Sequence, residues 1–390
     1  MDCSPVFEFK FKRLIVVFTL FSAFLLASLR VNAQVDTLAK ATDSLVATTA
    51  SQEMPVSPSA ESHEALPVGA QGTEHKSESF EPTKVIMEHI ADSHSWHLWG
   101  HTSLPLPVIL YSSKDGLEVF SSAHFHHGEE DVIGKSQTYR LVEDKIKVLN
   151  ASGQVDEQAS GAVLDFSITK NVAAMFLSVL VLLLVFVSIA SAYKKRSGKA
   201  PKGLQSFIEP LIIFVRDDIA KPNIGHKYER FMPYLLTVFF FIWINNLMGL
   251  IPIFPGGANV TGNITLTFVM ALGTLIIVNI NGNKYYWKHI LTPDVPWWLY
   301  PIMIPVELIG IISKPFALMI RLFANITAGH IVVLSLISLI FIFKTLAIAP
   351  VSVAFVIFMD VLELLVAFLQ AFIFTLLTAL FIGMAVEEHH

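Results

Sequence analysis

Arg321 sits near the middle of an apolar run from about Pro305 to Phe343, with no acidic residue within six positions on either side. About 20 residues suffice to cross a bilayer, so this run is long enough to place the guanidinium deep in hydrocarbon. An arginine there costs about 2.5–3.5 kcal/mol on insertion scales, and such residues usually line a water-filled or ion-handling path. The chain is thereby limited to folds in which a membrane helix keeps a cation for a reason.

Helical phase describes the surroundings. Ala317, Ala324, Asn325 and Ala328 share the face of Arg321, and small residues there let another helix approach closely. The stripe continues backwards in sevens through Lys314 to Glu307. His330, nine positions on, falls on the opposite face and about 13 Å further along the axis. One helix thus has an arginine face and, further along, a histidine face.

A second long run, about Pro350 to Val386, follows the first, and three runs of ordinary length precede them: Val172 to Tyr193, Phe231 to Ile251 and Ile264 to Ile280. Hydrophobic residues make up 53% of the chain and its mean hydropathy is +0.59, which with five such runs indicates a polytopic membrane protein. The net charge of -5 and the lack of any long Lys/Arg block exclude a nucleic-acid binder. No GxxxxGK[ST], HExxH or CxxC occurs, so the sequence is not that of a soluble nucleotide or metal enzyme and no cofactor is expected. Cys3, the single cysteine, lies in a targeting segment and leaves no disulfide option.

Taken in order, residues 1–33 have the parts of a secretory signal peptide: Lys10, Lys12 and Arg13, an apolar stretch from Leu14 to Leu29, and Val31-Asn32-Ala33 before Gln34. Residues 34–84 are rich in Ser, Thr, Ala, Glu and Pro and are expected to be a disordered exported linker. Residues 85–167 alternate apolar and polar positions around Lys114-Asp115-Gly116, a turn signal, and are expected to form a small exported β-rich domain. That segment holds His89, His94, His97, His101, His124, His126 and His127. Imidazoles can converge on zinc or copper, but no spacing here matches a defined zinc motif, so no metal site is assigned. The stretch HIADSHSWHLWGH is expected to cap or dock something at the membrane surface.

Residues 168–390 form the membrane domain. Lys194, Lys195, Arg196, Lys199 and Lys202 directly follow the first span, which makes that end cytoplasmic and agrees with an exported N-terminus. Leu204 to Ile219 is interrupted by Glu209-Pro210 and closed by Arg216-Asp217-Asp218, so it reads as an interfacial or re-entrant helix. Pro252 to Asn263, free of Lys and Arg, is an outer loop, and Lys284 and Lys288 mark the inside again. Asn259-Val260-Thr261 is a glycosylation sequon that a bacterial chain leaves unused. The two long runs, joined by an outer turn at Lys344 to Ala349, must tilt strongly as a hairpin.

The final run carries Asp360, Glu363, Ala367 and Gln370 on one helical face. It runs inward while the Arg321 helix runs outward. With Gln370 level with Arg321, Glu363 lies about 10 Å and His330 about 13 Å toward the exterior, so the two meet near one depth. An imidazole and a carboxylate there suit a proton relay, because both can titrate near neutrality.

SKPFALMIRLFANITAGH, LQAFIFTLLTALFIGMAVEEHH and NNLMGLIP resemble the subunit a family of F-type ATP synthases over about residues 168 to 390. The resemblance implies a non-catalytic stator subunit with two offset half-channels that load and unload carboxylates on a c-ring. Arg321 then matches the essential arginine, Asn325 the asparagine one turn later, and Gln370 the glutamine facing the arginine. The usual bacterial pattern has glutamate where His330 stands and histidine where Glu363 stands, so this chain has the two exchanged. Asp360 adds an acid to the stripe, and Gly249 replaces an aspartate of some bacterial relatives.

Proton-translocating residues are accordingly expected at Arg321, Asn325, His330, Asp360, Glu363 and Gln370, with Glu307 and Lys314 in an inner half-channel. The expected partners are the c-ring, peripheral-stalk b subunits and membrane lipid, in a bacterial inner membrane with the N-terminal extension periplasmic and the C-terminus cytoplasmic. The alternatives are a stand-alone ion transporter or pore, which would need inverted repeats that the segments do not show, and a structural anchor, which leaves Arg321 unexplained. The expected fold class is an all-α polytopic membrane protein of about five membrane helices. The last two form a long tilted hairpin, and the exported β-rich domain and signal peptide precede the membrane part.

Overall fold

The computed structural model describes residues 92–99, 102–128, 130–142, 144–195, 200–251, 256–292, 295–343 and 348–387. The expected signal peptide and linker, with the histidines at 89 and 101, lie outside the described residues.

Strand β1 (Ser95–Trp99) pairs with β2 (Thr102–Pro105), and β3 (Pro107–Ser112) pairs with β4 (Gly116–Ser121). The β3–β4 register runs from Pro107 opposite Ser121 to Ser112 opposite Gly116, and Gly116 takes the positive φ of 73° that closes the hairpin. β5 (Val132–Ile133), β6 (Thr138–Val142) and β7 (Lys145–Leu149) make a second antiparallel sheet. A short helix, α1 (Glu157–Ala162), leads to β8 (Val163–Asp165), which returns to the free edge of β3. Alternation along β3 buries Val108 and Leu110 and turns Tyr111 out, as a half-buried strand requires. Val108, Leu110, Phe125, Tyr139 and Val148 form a small core of their own.

This β region is bonded to the membrane part. Phe166 N–H donates to the Ile109 carbonyl at 2.8 Å and Ile168 N–H to that of Pro107 at 3.0 Å, carrying the chain directly into α2 (Lys170–Lys195). Asp92, remote in sequence, caps that helix by accepting from the Thr169 hydroxyl at 2.9 Å and the Asn171 N–H at 3.0 Å. Burial pushes the Asp92 carboxyl up, although those two bonds and the Lys170 charge favour its ionised form. Nearby, burial also pushes Asp165 up, but His94, 3.5 Å away, and Ser167 outweigh it and hold Asp165 below the ordinary carboxylate value.

The segment after α2 differs from an isolated interfacial helix. α3 (Leu204–Phe214), containing Pro210, runs through a π-helical stretch (Val215–Ala220) into α4 (Lys221–Ile224), and Gly225 at φ 70° ends it. α5 (Tyr228–Leu250), α6 (Ile264–Ile280) and α7 (Lys284–Leu291) follow, with α6 and α7 bent by 104°. The long helices are α8 (Tyr300–Phe343) and α9 (Ala349–Val386). Four helical segments among the described residues are long and apolar enough to cross a membrane, five if the bent pair is one span. That agrees with the polytopic reading.

α5 is the centre of the packing. Phe239, Phe240 and Phe241 are fully buried, and Phe240 meets Phe186 of α2 edge-on at 5.1 Å. Tyr234 shares a hydrogen bond with Thr274 of α6 at 2.9 Å, which satisfies two hydroxyls that hydrocarbon would leave stranded. Phe214 of α3 packs on Phe368 and Phe372 of α9. Further along, a Cβ on Gly383 would overlap the Asn223 carbonyl, so only glycine lets α4 lie this close. The end of α9 is held by Asn283, whose N–H reaches the Ala385 carbonyl and whose amide reaches that of Val386, both at 2.8 Å. Those bonds satisfy carbonyls that a helix C-terminus leaves open.

Candidate functional site

Two contacts set the register of α8 against α9. A Cβ on Gly329 would overlap the Glu363 carboxylate, 2.9 Å from its Cδ, and the Ser352 hydroxyl donates to the Leu336 carbonyl. Eight residues back from Gly329 and eight forward from Glu363 bring Arg321 level with Ala371; the same step from Leu336 and Ser352, fifteen residues each way, brings it level with Ala367. Gln370 falls inside that interval. The register of the two helices therefore puts Arg321 near the level of Gln370 and Glu363 near that of Gly329.

The side chains at that level face differently. Arg321, Ala317, Ala324, Asn325 and Ala328 are all exposed, so the arginine face of α8 is an open surface rather than a helix–helix seam. No ion pair to Arg321 occurs among the described residues. Gln370 is 2% exposed and points into the packed side of α9. The stripe on α9 is graded, with Asp360 exposed, Glu363 half-buried, and Ala367 and Gln370 buried. Glu363 Oε1 is itself shielded and accepts no hydrogen bond.

His330 is half-buried and turned away from the open face: its Nε2 lies 3.8 Å from where a Cβ on Gly249 would sit. Because Gly329 and His330 are consecutive, the structure brings Glu363, His330 and Gly249 together where α5, α8 and α9 meet. The absent side chain at Gly249 leaves the space that the imidazole faces.

Other polar groups join this place that helical phase did not single out. Asn246 of α5 donates to the Ala367 carbonyl at 3.2 Å and accepts from the Thr261 hydroxyl at 2.6 Å. Asn259 is 6% exposed and Thr261 1% exposed, so the sequon is buried. The Asn259 amide nitrogen and the Asn245 amide oxygen are buried without partners. The pair Asn245-Asn246 inside an apolar helix was a visible signal for this cluster. Thr261 carried none, since its role depends on how the loop folds back.

About two turns before Arg321 on α8, Lys314 is half-buried and its Nζ stands 5.8 Å from the centre of the Phe381 ring. It lines a small pocket with Thr274, Tyr286, Pro315 and Met384. Glu307 pairs with His289 of α7 at 3.7 Å. Glu307 and Lys314 thus lie about two helical turns apart beside α7, well away from the His330 group. The described histidines His94, His124 and His126 stand in no group of three or more His, Cys, Asp or Glu that could hold a metal.

The arrangement separates two polar regions, one around His330 and Glu363 and one around Glu307 and Lys314, and leaves Arg321 exposed between them on α8. A family described as ATP synthase A chain matches residues 172–383, and one described as Domain of unknown function (DUF8433) matches residues 85–166. ATP synthase subunit a of Chloroherpeton thalassium is 52% identical over 233 residues, which cover 58% of this chain and 69% of that protein. ATP synthase subunit a 2 of Prosthecochloris aestuarii is 45% identical over 273 residues, 68% of this chain and 83% of that protein. The subunit a of Myxococcus xanthus is 44% identical over 234 residues, 58% of this chain and 75% of that protein. With more than half its length matched by the family and its arginine, histidine and carboxylate set on two long helices, the chain belongs to the ATP synthase A chain family.

Proposed function

We propose that this chain is the proton-translocating stator subunit of an F-type ATP synthase, working through two offset half-channels against a c-ring. The observation that carries this reading is the open face of α8, where Arg321 stands among Ala317, Ala324, Asn325 and Ala328 with no ion pair among the described residues. An uncompensated guanidinium on an apolar helix favours a moving anionic partner, and the alanines allow that partner's helix close approach.

Protons reach the site from the exterior past Asp360, pass Glu363, His330 and Asn325, and neutralise a c-ring carboxylate, which can then turn into lipid. After nearly a full revolution the carboxylate releases its proton to the cytoplasm beside Glu307 and Lys314. Arg321 attracts the deprotonated carboxylate and stays charged throughout, so it passes no proton and keeps the two paths apart. Gln370, level with it, belongs to the same crossing point. About 2.3 kcal/mol per charge per 100 mV is available to drive each transfer.

This assignment places residues 34–167 outside a bacterial inner membrane and the C-terminus in the cytoplasm, with peripheral-stalk b subunits and lipid as further partners. The lysines after α2 support that orientation. The chain itself performs no catalysis, since ATP chemistry belongs to other subunits.

The test is ATP-driven proton pumping by inverted membrane vesicles that contain the wild-type complex or Arg321→Ala. Loss of pumping with the variant still present in the complex is expected. Unimpaired pumping would mean that Arg321 is a packing feature and would remove the stator reading.

A further inference from the structure

We infer that Trp96, in the N-terminal region, is a positioning residue for the exterior half-channel. The inference rests on the stator reading and gives the domain at residues 85–166 a part in it.

Asp92 caps α2 through Thr169 and Asn171, and Lys170 N–H donates to the Ser93 carbonyl at 2.9 Å. These bonds tie residues 92 and 93 to the start of a membrane helix. Three residues on, Trp96 is 5% exposed and packs with the core of the membrane part, not with that of the β region. Its indole N–H donates to the Gly256 carbonyl at 3.3 Å. A buried indole needs such an acceptor, and here the acceptor is the loop between α5 and α6.

Around Gly256 and Gly257 the packing is close. A Cβ on Gly256 would come within 2.6 Å of the Met248 carbonyl and 2.8 Å of the Ile251 Cβ, and Gly257 N–H donates to Met248 at 3.3 Å. Two residues beyond Gly256, the Ala258 carbonyl stands 3.5 Å from the Gly249 Cβ position, next to His330 Nε2 at 3.8 Å from the same point. Thr261 then bonds Asn246, which bonds the Ala367 carbonyl between Glu363 and Gln370. One end of the loop is therefore held by Asn246 of α5, which is itself bonded to α9 at Ala367, and Gly256 is held by Trp96. The loop forms a wall of the space that His330 faces, and the indole fixes where that wall stands.

The test uses the whole complex with Trp96→Phe, which keeps a buried aromatic ring but removes the N–H and part of the indole's volume, and Trp96→Ala, which removes the packing altogether. ATP synthesis by reconstituted complex is measured against exterior pH at constant interior pH and constant membrane potential. For Trp96→Phe the half-maximal point should require about fivefold more exterior protons, the size set by one neutral hydrogen bond. Trp96→Ala should shift it further, and neither should change the dependence on interior pH.

The nearby ionisable groups, Asp92, His94, Asp165 and Lys170, are unaltered in both variants. A lower maximal rate that only follows the amount of assembled complex, with the half-maximal point unmoved, would reduce Trp96 to a structural anchor and overturn the inference. Wild-type curves for both variants would overturn it equally. Arg321→Ala and Glu363→Gln are run alongside: if those fail as expected while the Trp96 curves stay put, the stator reading stands and only this inference falls. If those two behave as wild type, the stator reading itself is at fault.

Discussion

The segment Leu204–Leu250 and the helix α8 are both apolar enough to span a bilayer, yet the fold treats them in opposite ways. Across the most apolar stretch of each, 72% of residues are buried in the first and 6% in the second. In water the more apolar helix would be the buried one. In a bilayer the lipid tails are as apolar as leucine, so hydrophobicity no longer sorts helices into core and surface, and packing and polar contacts do so instead. The α5 part of the first segment has Phe239, Phe240, Phe241, Asn245 and Asn246 to interlock with its neighbours. α8 has alanines and an arginine on one side, and leaves that side open.

Three substitutions test this contrast between a helix that holds the molecule together and one that works. The largest effect is expected from Glu363→Gln. Removing a group that takes up and hands on protons should slow proton flux on the order of 10²-fold, with the complex still assembled and partial recovery when His330→Glu is added. Passive proton conduction through the membrane sector would measure it, and an unchanged rate would take Glu363 off the path.

Next comes Phe240→Ala, in the buried helix. Lipid is as apolar as the core, so the cost is the void: about 100 Å³ at about 24 cal/mol per Å³ gives roughly 2.4 kcal/mol. It should appear as earlier loss of the subunit from the solubilised complex on heating, with per-complex proton flux near normal. A large loss of flux at full assembly would mean that the buried helix is not merely scaffold. The smallest effect is expected from Ile312→Ala on α8, whose side chain is 64% exposed. It should change thermal retention by no more than about 0.5 kcal/mol. A loss matching that of Phe240→Ala would show that this face is covered by the protein itself.

The candidate site was legible in the sequence where one helix decides the geometry. Arg321 and its alanines share a face by phase, His330 falls opposite by phase, and Asp360, Glu363 and Gln370 line one stripe of α9 by phase. With Arg321 taken as level with Gln370, counting rise per residue along antiparallel helices brings His330 near the depth of Glu363. What phase did not show is which stripe faces outward and which is sealed: Gln370 and Arg321 are level, yet one is buried and the other exposed. The stretch from Leu204 to Ile219 illustrates the same limit. Its Pro210 and its charges pointed to a break, whereas the chain continues as helix through a π-helical stretch and packs along α9.

The sequence by itself determined that this is a polytopic membrane protein, where its long helices run, and that a cation, an imidazole and several acids lie within them. These follow from composition, length and a helical repeat, which are local properties of the chain. Only the tertiary structure decided that Gly329 would admit Glu363, that Gly249 would face His330, that Thr261 would fold back on Asn246, and that Trp96 would reach Gly256. Each of those depends on close approach between segments distant in sequence. In a medium where apolar surface carries no orientation, such approach is set by shape and by the need to satisfy buried polar groups, and neither can be read along a single strand of sequence.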